Sequence, residues 1–562
     1  MSLPVLGALV IVILALGYRF YGGLVARRFR LDPEAPTPAH RLKDGADFVP
    51  TRPFYLFGQH FSAIAAAGPI AGPILACGQF GWMPCLLWIA IGVVFIGAVH
   101  DISTLVASVR HDARSICEVA RRYMGARAAL ALTIFIWVAL VYVIVAFTQV
   151  TAATFTEGGE ELQAIAPGFN PGGAVAIASA LYLALAVVMG VVERLLAPPL
   201  WLQTAIFVPA TLGVVWLGTE LSTVLVLDFK TWAAVILAYC FVASLTPVWA
   251  LLQPRGYLGG FVLYLALAAG TIGIFFGGYE IAQPAFKGFV APGPTGALFP
   301  FLFVTIACGA CSGFHGLVCS GTTSKQIASE SHCRPVGYGA MLLEGFVALI
   351  ALATIMIVAP TPGKPVVPGA VYGNGLGRFL TVVIGDDRFV FARTFGAMAF
   401  STFVFDTLDV STRLGRYLLQ ELFGGLGRAG AIVATAVTCA VPLAFVLASD
   451  PRAYLLFWTL FGASNQLLAA LSLLGVSVWL KRSGRPYWYT AAPMAFVLGI
   501  TLWSLASLAR TTLLGPAGGV MARLNGVLAL ALIGLAVALL VMGAKKFRPG
   551  PVEIEEVRSS TG

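Results

Sequence analysis

The chain has 562 residues, of which 59% are hydrophobic and 11% charged, with a formal net charge of +10. A water-facing surface demands roughly 25% charged residues, so the composition excludes a soluble globular protein and calls for lipid as solvent. Its Lys and Arg residues punctuate short loops between apolar runs and form no continuous patch, which excludes a nucleic-acid surface and matches the topogenic bias of membrane proteins.

Runs of about 20 apolar residues, the length that crosses a bilayer, predict an all-α polytopic membrane protein with about 15 transmembrane helices. They lie near 3–20, 55–77, 82–108, 128–150, 173–192, 199–217, 232–251, 257–277, 298–322, 336–358, 389–408, 429–449, 453–479, 487–508 and 523–543. The first lacks a basic n-region and an A-x-A-like site after it, so it reads as a retained helix and not a cleaved signal peptide. The transmembrane domain is predicted over 1–546, followed by a polar cytoplasmic tail at 547–562. Cysteines such as Cys77, Cys85, Cys240 and Cys439 fall inside apolar runs and read as small packing residues. The segment 359–388 is rich in Pro and Gly, which predicts an exposed outer linker.

Alternate loops carry most of the 35 Lys and Arg residues, from the cluster Arg19–Arg52, through Arg110–Arg127, Arg194, Arg255, Lys325 and Arg334, to Lys545 and Lys546. The positive-inside rule then predicts a periplasmic N-terminus and a cytoplasmic C-terminus.

Two spans contain helix breakers. In the first broken helix, 55–77, Gly68-Pro69 and Gly72-Pro73 stand in mid-span; in the second, 298–325, Gly309, Gly313, Gly316 and Gly321 precede a hydroxyl cluster and a lysine. Proline removes a backbone donor, and unpaired backbone at membrane depth is tolerated only when buried in protein or lining a cavity. The two lie seven spans apart and run in opposite directions, as an inverted repeat with paired discontinuous helices requires. This is the physical argument for transport.

Five motifs in order, FGQHFSAIAAAGPIAGPILA at 57–76, GAVHD at 97–101, SGFHGLVCSGTTSKQ at 312–326, TLDVSTRLGRYLLQEL at 407–422 and LFGASNQLLAAL at 460–471, resemble the carbon starvation A (CstA) family over about residues 50–475. The resemblance implies a bacterial inner-membrane transporter related to the amino-acid/polyamine/cation superfamily, with a LeuT-like inverted repeat. It further implies uptake of peptides or, in close relatives, pyruvate–proton symport. Two departures stand out. Gln59-His60 occupies the family's His-His, and His100-Asp101 occupies its Gln-Asp, an exchange that would follow if the two positions touch.

Ionisable groups inside apolar spans are costly and default to functional candidates. His60, His100-Asp101 and His315 are the leading ones, His315 first because an imidazole charge is tunable at physiological pH. Glu344 and Asp406 fall mid-span and each must find a partner or carry a proton. Asp409, four residues before Arg413, reads either as a site residue or as half of an i,i+4 ion pair. The helix N-terminus near Gly68 and Gly72 is expected to hold a carboxylate, with Ser320, Thr322, Thr323, Ser324 and Lys325 as substrate contacts. Asn465 and Gln466 read as interhelical hydrogen-bonding residues or substrate contacts.

Cys308, Cys311, His315 and Cys319 would share one face of a continuous helix, and with His60 and His100 they are metal-ligand types. Four ligands along one helix do not surround a metal tetrahedrally, so no cofactor is expected. H-E-x-x-H and GxxxxGK[ST] are absent, against a metallohydrolase and an ATP-driven pump. The expected function is secondary active transport of a small carboxylate-bearing substrate, peptide or pyruvate, with a proton or sodium as coupling ion. A nutrient sensor without flux is the alternative. The lipid bilayer is the surrounding partner, and nucleic acid is not one.

Overall fold

The computed structural model describes residues 2–44, 47–157, 166–291, 296–360, 366–424, 427–449, 454–515 and 519–547. The described residues form helices, with two isolated β-bridges, Thr51 to Ile327 and Val290 to Ala297. The predicted tail lies outside them, apart from Phe547.

In chain order the helices are α1 (Leu3–Phe29), α2 (Pro53–Ile64), α3 (Gly68–Phe80), α4 (Trp82–Val109), α5 (Ile116–Met124), α6 (Ala126–Phe155), α7 (Pro171–Leu196), α8 (Leu200–Glu220), α9 (Phe229–Leu245) and α10 (Leu252–Phe276). They continue with α11 (Leu298–Thr305), α12 (Gly313–Gly321), α13 (Glu330–Met356), α14 (Pro368–Ile384), α15 (Phe389–Leu422), α16 (Arg428–Ala448), α17 (Leu456–Arg482), α18 (Trp488–Leu514) and α19 (Val520–Lys546). Among the described residues, 12 helices are long and apolar enough to cross a membrane, or 13 if α2 and α3, bent by 45°, count as one span. The remaining predicted segments correspond to α9, apolar but shorter, and to the broken pair α11 and α12.

The core is all-helical and centred on α17, whose apolar window is wholly buried, and on the 34-residue α15. Small residues permit the closest contacts, as is usual between membrane helices. A Cβ on Gly462 of α17 would meet the Val304 carbonyl oxygen of α11 at 1.8 Å.

Three expectations are corrected. The first helix breaks at 65–67, before the Gly-Pro pairs, with Ala65 leaving helical geometry at ψ 56°. Pro69 then stands in the first turn of α3, where its missing N–H costs nothing. The Pro/Gly-rich segment 359–388 is not simply a linker, because 368–384 fold as α14. This helix lies across one end of the bundle. Gly369 packs on Thr154 at the end of α6, Gly375 on Thr354 at the end of α13, and Phe379 on Gly273 at the end of α10. Arg255, read as a loop cation, is fully buried in α10.

Candidate functional site

The two broken helices meet at their breaks. A Cβ on Gly68 would stand 2.4 Å from Cys308 Sγ, one on Gly72 2.6 Å from the Thr305 oxygen, and one on Gly309 3.5 Å from Pro69 Cα. Gly68 and Gly72 thus let backbone approach backbone where α3 crosses the turn between α11 and α12. The halves beyond the breaks run antiparallel. α3 ends beside the 284–287 segment, with Lys287 Nζ donating to the Gly78 oxygen at 3.0 Å. α12 ends beside α5, where the Ile116 N–H donates to Ser320 Oγ at 3.3 Å.

A broken helix leaves backbone groups without intrahelical partners, and here side chains of α4 and α17 take them. The Phe303, Thr305 and Ile306 carbonyls at the end of α11 accept from Gln466 Nε2 at 2.9 Å, Trp458 Nε1 at 3.0 Å and Trp88 Nε1 at 3.1 Å. At the start of α12 the Phe314 N–H donates to Asn465 Oδ1 at 2.9 Å, and Asn465 Nδ2 donates to Ser312 Oγ at 3.0 Å and reaches Cys308 Sγ at 3.3 Å. Asn465 and Gln466 therefore hold the second break open from the neighbouring helix, and both tryptophans join them unannounced by any motif.

In the first turn of α12, His315 sits between two carboxylates from different helices. Its Nδ1 lies 2.9 Å from Asp101 Oδ2 on α4, and its Nε2 lies 3.2 Å from Glu344 Oε2 on α13. The other Asp101 oxygen is 2.7 Å from His100 Nδ1. All four side chains are buried. His100 and Asp101 thus lie in the interior of the bundle. Glu344 is near enough for an ion pair but not aligned for a hydrogen bond, and neither of its oxygens has a donor. His100 Nε2 is likewise buried without a partner, facing the bare backbone of Gly316.

His60, on α2, pairs its Nδ1 with Thr323 Oγ1 at 2.8 Å, and its Nε2 lies 3.9 Å from Cys319 Sγ. Gln59 is exposed while His100 is fully buried against Asp101 and Gly316, so the exchange of residue types is not a swap within one buried pair.

The hydroxyls at the end of α12 and just beyond it hydrogen-bond within the protein. Ser320 Oγ donates to the Gly316 oxygen, Thr322 Oγ1 to the Val318 oxygen, and Ser324 Oγ pairs with Ser108 Oγ at 2.9 Å. Lys325 reaches the exposed Asp47 at 3.2 Å.

Cys308 and Cys311 lie in the turn while His315 and Cys319 lie on α12, so the break divides the set that a continuous helix would align. Among the described residues no group of three or more His, Cys, Asp or Glu is arranged to hold a metal ion. Asp409 does not pair with Arg413. It pairs with Arg255, which also contacts Asp406 at 2.5 Å, while Arg413 donates to the Ala243 and Thr246 carbonyls.

The model of the family described as carbon starvation protein CstA matches residues 3–364 and 365–504. The peptide transporter CstA of Bacillus subtilis (strain 168) is 33% identical over 95% of both chains. That of Escherichia coli (strain K12) is 32% identical over 88% of this chain and 79% of its own. The pyruvate/proton symporter BtsT of Escherichia coli (strain K12) is 30% identical over 87% of this chain and 79% of its own. Among solved structures, a manganese transporter of Eremococcus coleocola aligns over 90% of this chain and 99% of its own at 13% identity and a TM-score of 0.43, too distant to carry an argument. With its membrane-length helices and these relatives, the chain is a multi-pass membrane protein of the carbon starvation protein CstA family.

Proposed function

We propose that the protein is a secondary active transporter of peptides or pyruvate-like small carboxylates, coupled to protons. It would work by alternating access around two discontinuous helices in a LeuT-like inverted repeat. The antiparallel halves meeting at their breaks support the repeat, and the names of the relatives support the substrate classes. We place it in the bacterial inner membrane, N-terminus periplasmic and C-terminus cytoplasmic, on the distribution of Lys and Arg.

The observation that carries proton coupling is the buried ladder His100–Asp101–His315–Glu344. Nδ1 of His315 pairs with Asp101 and Nε2 lies within ion-pair distance of Glu344, a setting between two carboxylates that suits an imidazolium. One cation against two carboxylates leaves the ladder one positive charge short. A proton on Glu344 supplies it, because that carboxylate has no hydrogen-bond donor and an uncompensated buried charge is costly. The ladder joins α12, which begins at the second break, to α4 and α13. Protonation at Glu344 therefore bears on the contacts that fix the broken helix.

The test is uptake of labelled pyruvate and of di- and tripeptides by proteoliposomes under an imposed pH gradient. We expect uptake of one class to follow the gradient and to collapse when a protonophore dissipates it. Uptake that ignores the pH gradient overturns proton coupling, and binding without uptake favours a sensor.

A further inference from the structure

A second buried charge cluster lies on helices that the ladder does not use. Arg255 of α10 is fully buried. Its guanidinium contacts Asp406 Oδ1 at 2.5 Å, the Asp409 carboxylate, the Phe405 carbonyl at 3.1 Å and Tyr239 Oη at 3.1 Å. Tyr239 of α9 in turn donates to Asp409 Oδ2 at 2.8 Å, and Tyr182 of α7 donates to the Arg255 carbonyl at 2.8 Å. Two carboxylates contact the same guanidinium, and Asp409 Oδ1 is buried without a partner.

The two carboxylates differ in their access to water. The Asp409 side chain is 3% exposed and that of Asp406 is 22%. Along α15 every residue from 392 to 405 is buried. Exposure then begins at Asp406 and recurs at Val410, Arg413, Leu414 and Tyr417, at helical spacing, up to the C-terminal end. Asp406 and Arg413 on this stripe suit a path for water, because a charged side chain facing lipid is costly. Gly259, opposite, lets α10 lie close against the carboxylate, since a Cβ there would stand 3.1 Å from Asp406 Oδ2.

We propose that Asp406 is a second proton-binding site, reached by water from the C-terminal end of α15, and that its proton uptake leaves Arg255 paired with Asp409 alone. The titratable groups around the pair are Arg255 of α10, Tyr182 of α7, Tyr239 and Cys240 of α9 and Cys439 of α16. On α15 itself they are Asp409 and Arg413. Of these, Arg255 and Arg413 oppose protonation, while the burial of two carboxylates against the one guanidinium that contacts both favours it. The step moves one proton from water to a carboxylate oxygen and needs no other reactant. Its consequence is mechanical: the link between α10 and α15 falls from two ion pairs to one. It rests on the proton-coupled reading only for its use in transport, not for its existence.

The experiment is a proton count on the purified full-length protein. Unbuffered wild type and Asp406→Asn are titrated between neutral and mildly acid pH, and uptake by proteoliposomes is followed over the same range. We expect the variant to take up about one proton fewer per chain and to lose one step from the pH profile of uptake, while Asp406→Glu restores both. Equal proton counts and an unchanged profile overturn the proposal, even in a chain that transports. Absence of transport by wild type overturns the functional reading instead, and leaves the count to decide this one. Should Asp406→Asn fail to fold, Val410→Cys reads the path. Modification by a charged, membrane-impermeant thiol reagent is expected, and protection from it overturns the water-filled stripe.

Discussion

His315 Nδ1 and Asp101 Oδ2 lie 2.9 Å apart, both side chains fully buried, and they join the start of α12 to the middle of α4. Removing one partner of a buried pair leaves an uncompensated charge, at a cost of roughly 3–5 kcal/mol. Asp101→Asn and His315→Gln are therefore expected to lower thermal stability in detergent sharply. Changing both residues is expected to cost less than the sum of the two single changes. Additive losses would show that the pair is not coupled.

Asn465 is expected to act through the backbone of α12. Asn465→Ala leaves the buried Phe314 N–H without an acceptor, for which we expect about 1–3 kcal/mol of lost stability. Denaturant unfolding of the purified protein measures it. Asn465→Asp, which keeps an acceptor, should lose less on this account, and equal losses would contradict the capping role.

The glycines divide by what a Cβ would meet. Gly462→Ala and Gly72→Ala drive a methyl into backbone carbonyls of α11, at 1.8 Å and 2.6 Å. They are expected to cut folded yield severely. Gly321→Ala meets nothing within 4 Å and should be tolerated. Size-exclusion profiles of the three variants make the comparison, and a well-folded Gly462→Ala would refute the close packing of α17 on α11.

An end cap offers a test at an aqueous loop. Asn170 Oδ1 accepts from the Gly173 N–H at 2.9 Å at the start of α7. Asn170→Ala should cost about 1 kcal/mol, and Asn170→Asp much less. Chemical denaturation separates the two.

The helices were legible because lipid enforces long apolar runs, and the breaks because Gly and Pro weaken a helix wherever they occur. α14 was not legible. Its 17 residues carry four glycines, Asn374 and Arg378, a composition that reads as a loop until its apolar face is seen on the ends of α6, α10 and α13. At the site, His315, His100 and Asp101 were legible as costly intramembrane groups, but their joining was not, since spacing along a chain says nothing of contacts between helices. Glu344 stood out only as a charge in need of a partner. Arg255 was hidden by its position near a span edge, where a cation resembles ordinary loop punctuation. The hydroxyls of 320–324 looked like substrate ligands because their types suit that role. In the structure they also bond within the protein, among others to Ser108 of α4 and His60 of α2.

The most direct test of proton coupling through the ladder is substrate-driven proton entry into proteoliposomes, read with a lumenal pH dye, for wild type and Glu344→Gln. The account predicts acidification of the lumen when substrate is added to wild type. For the variant it predicts at least about tenfold less acidification, while exchange of labelled for unlabelled substrate persists. Acidification by Glu344→Gln at the wild-type rate would contradict it.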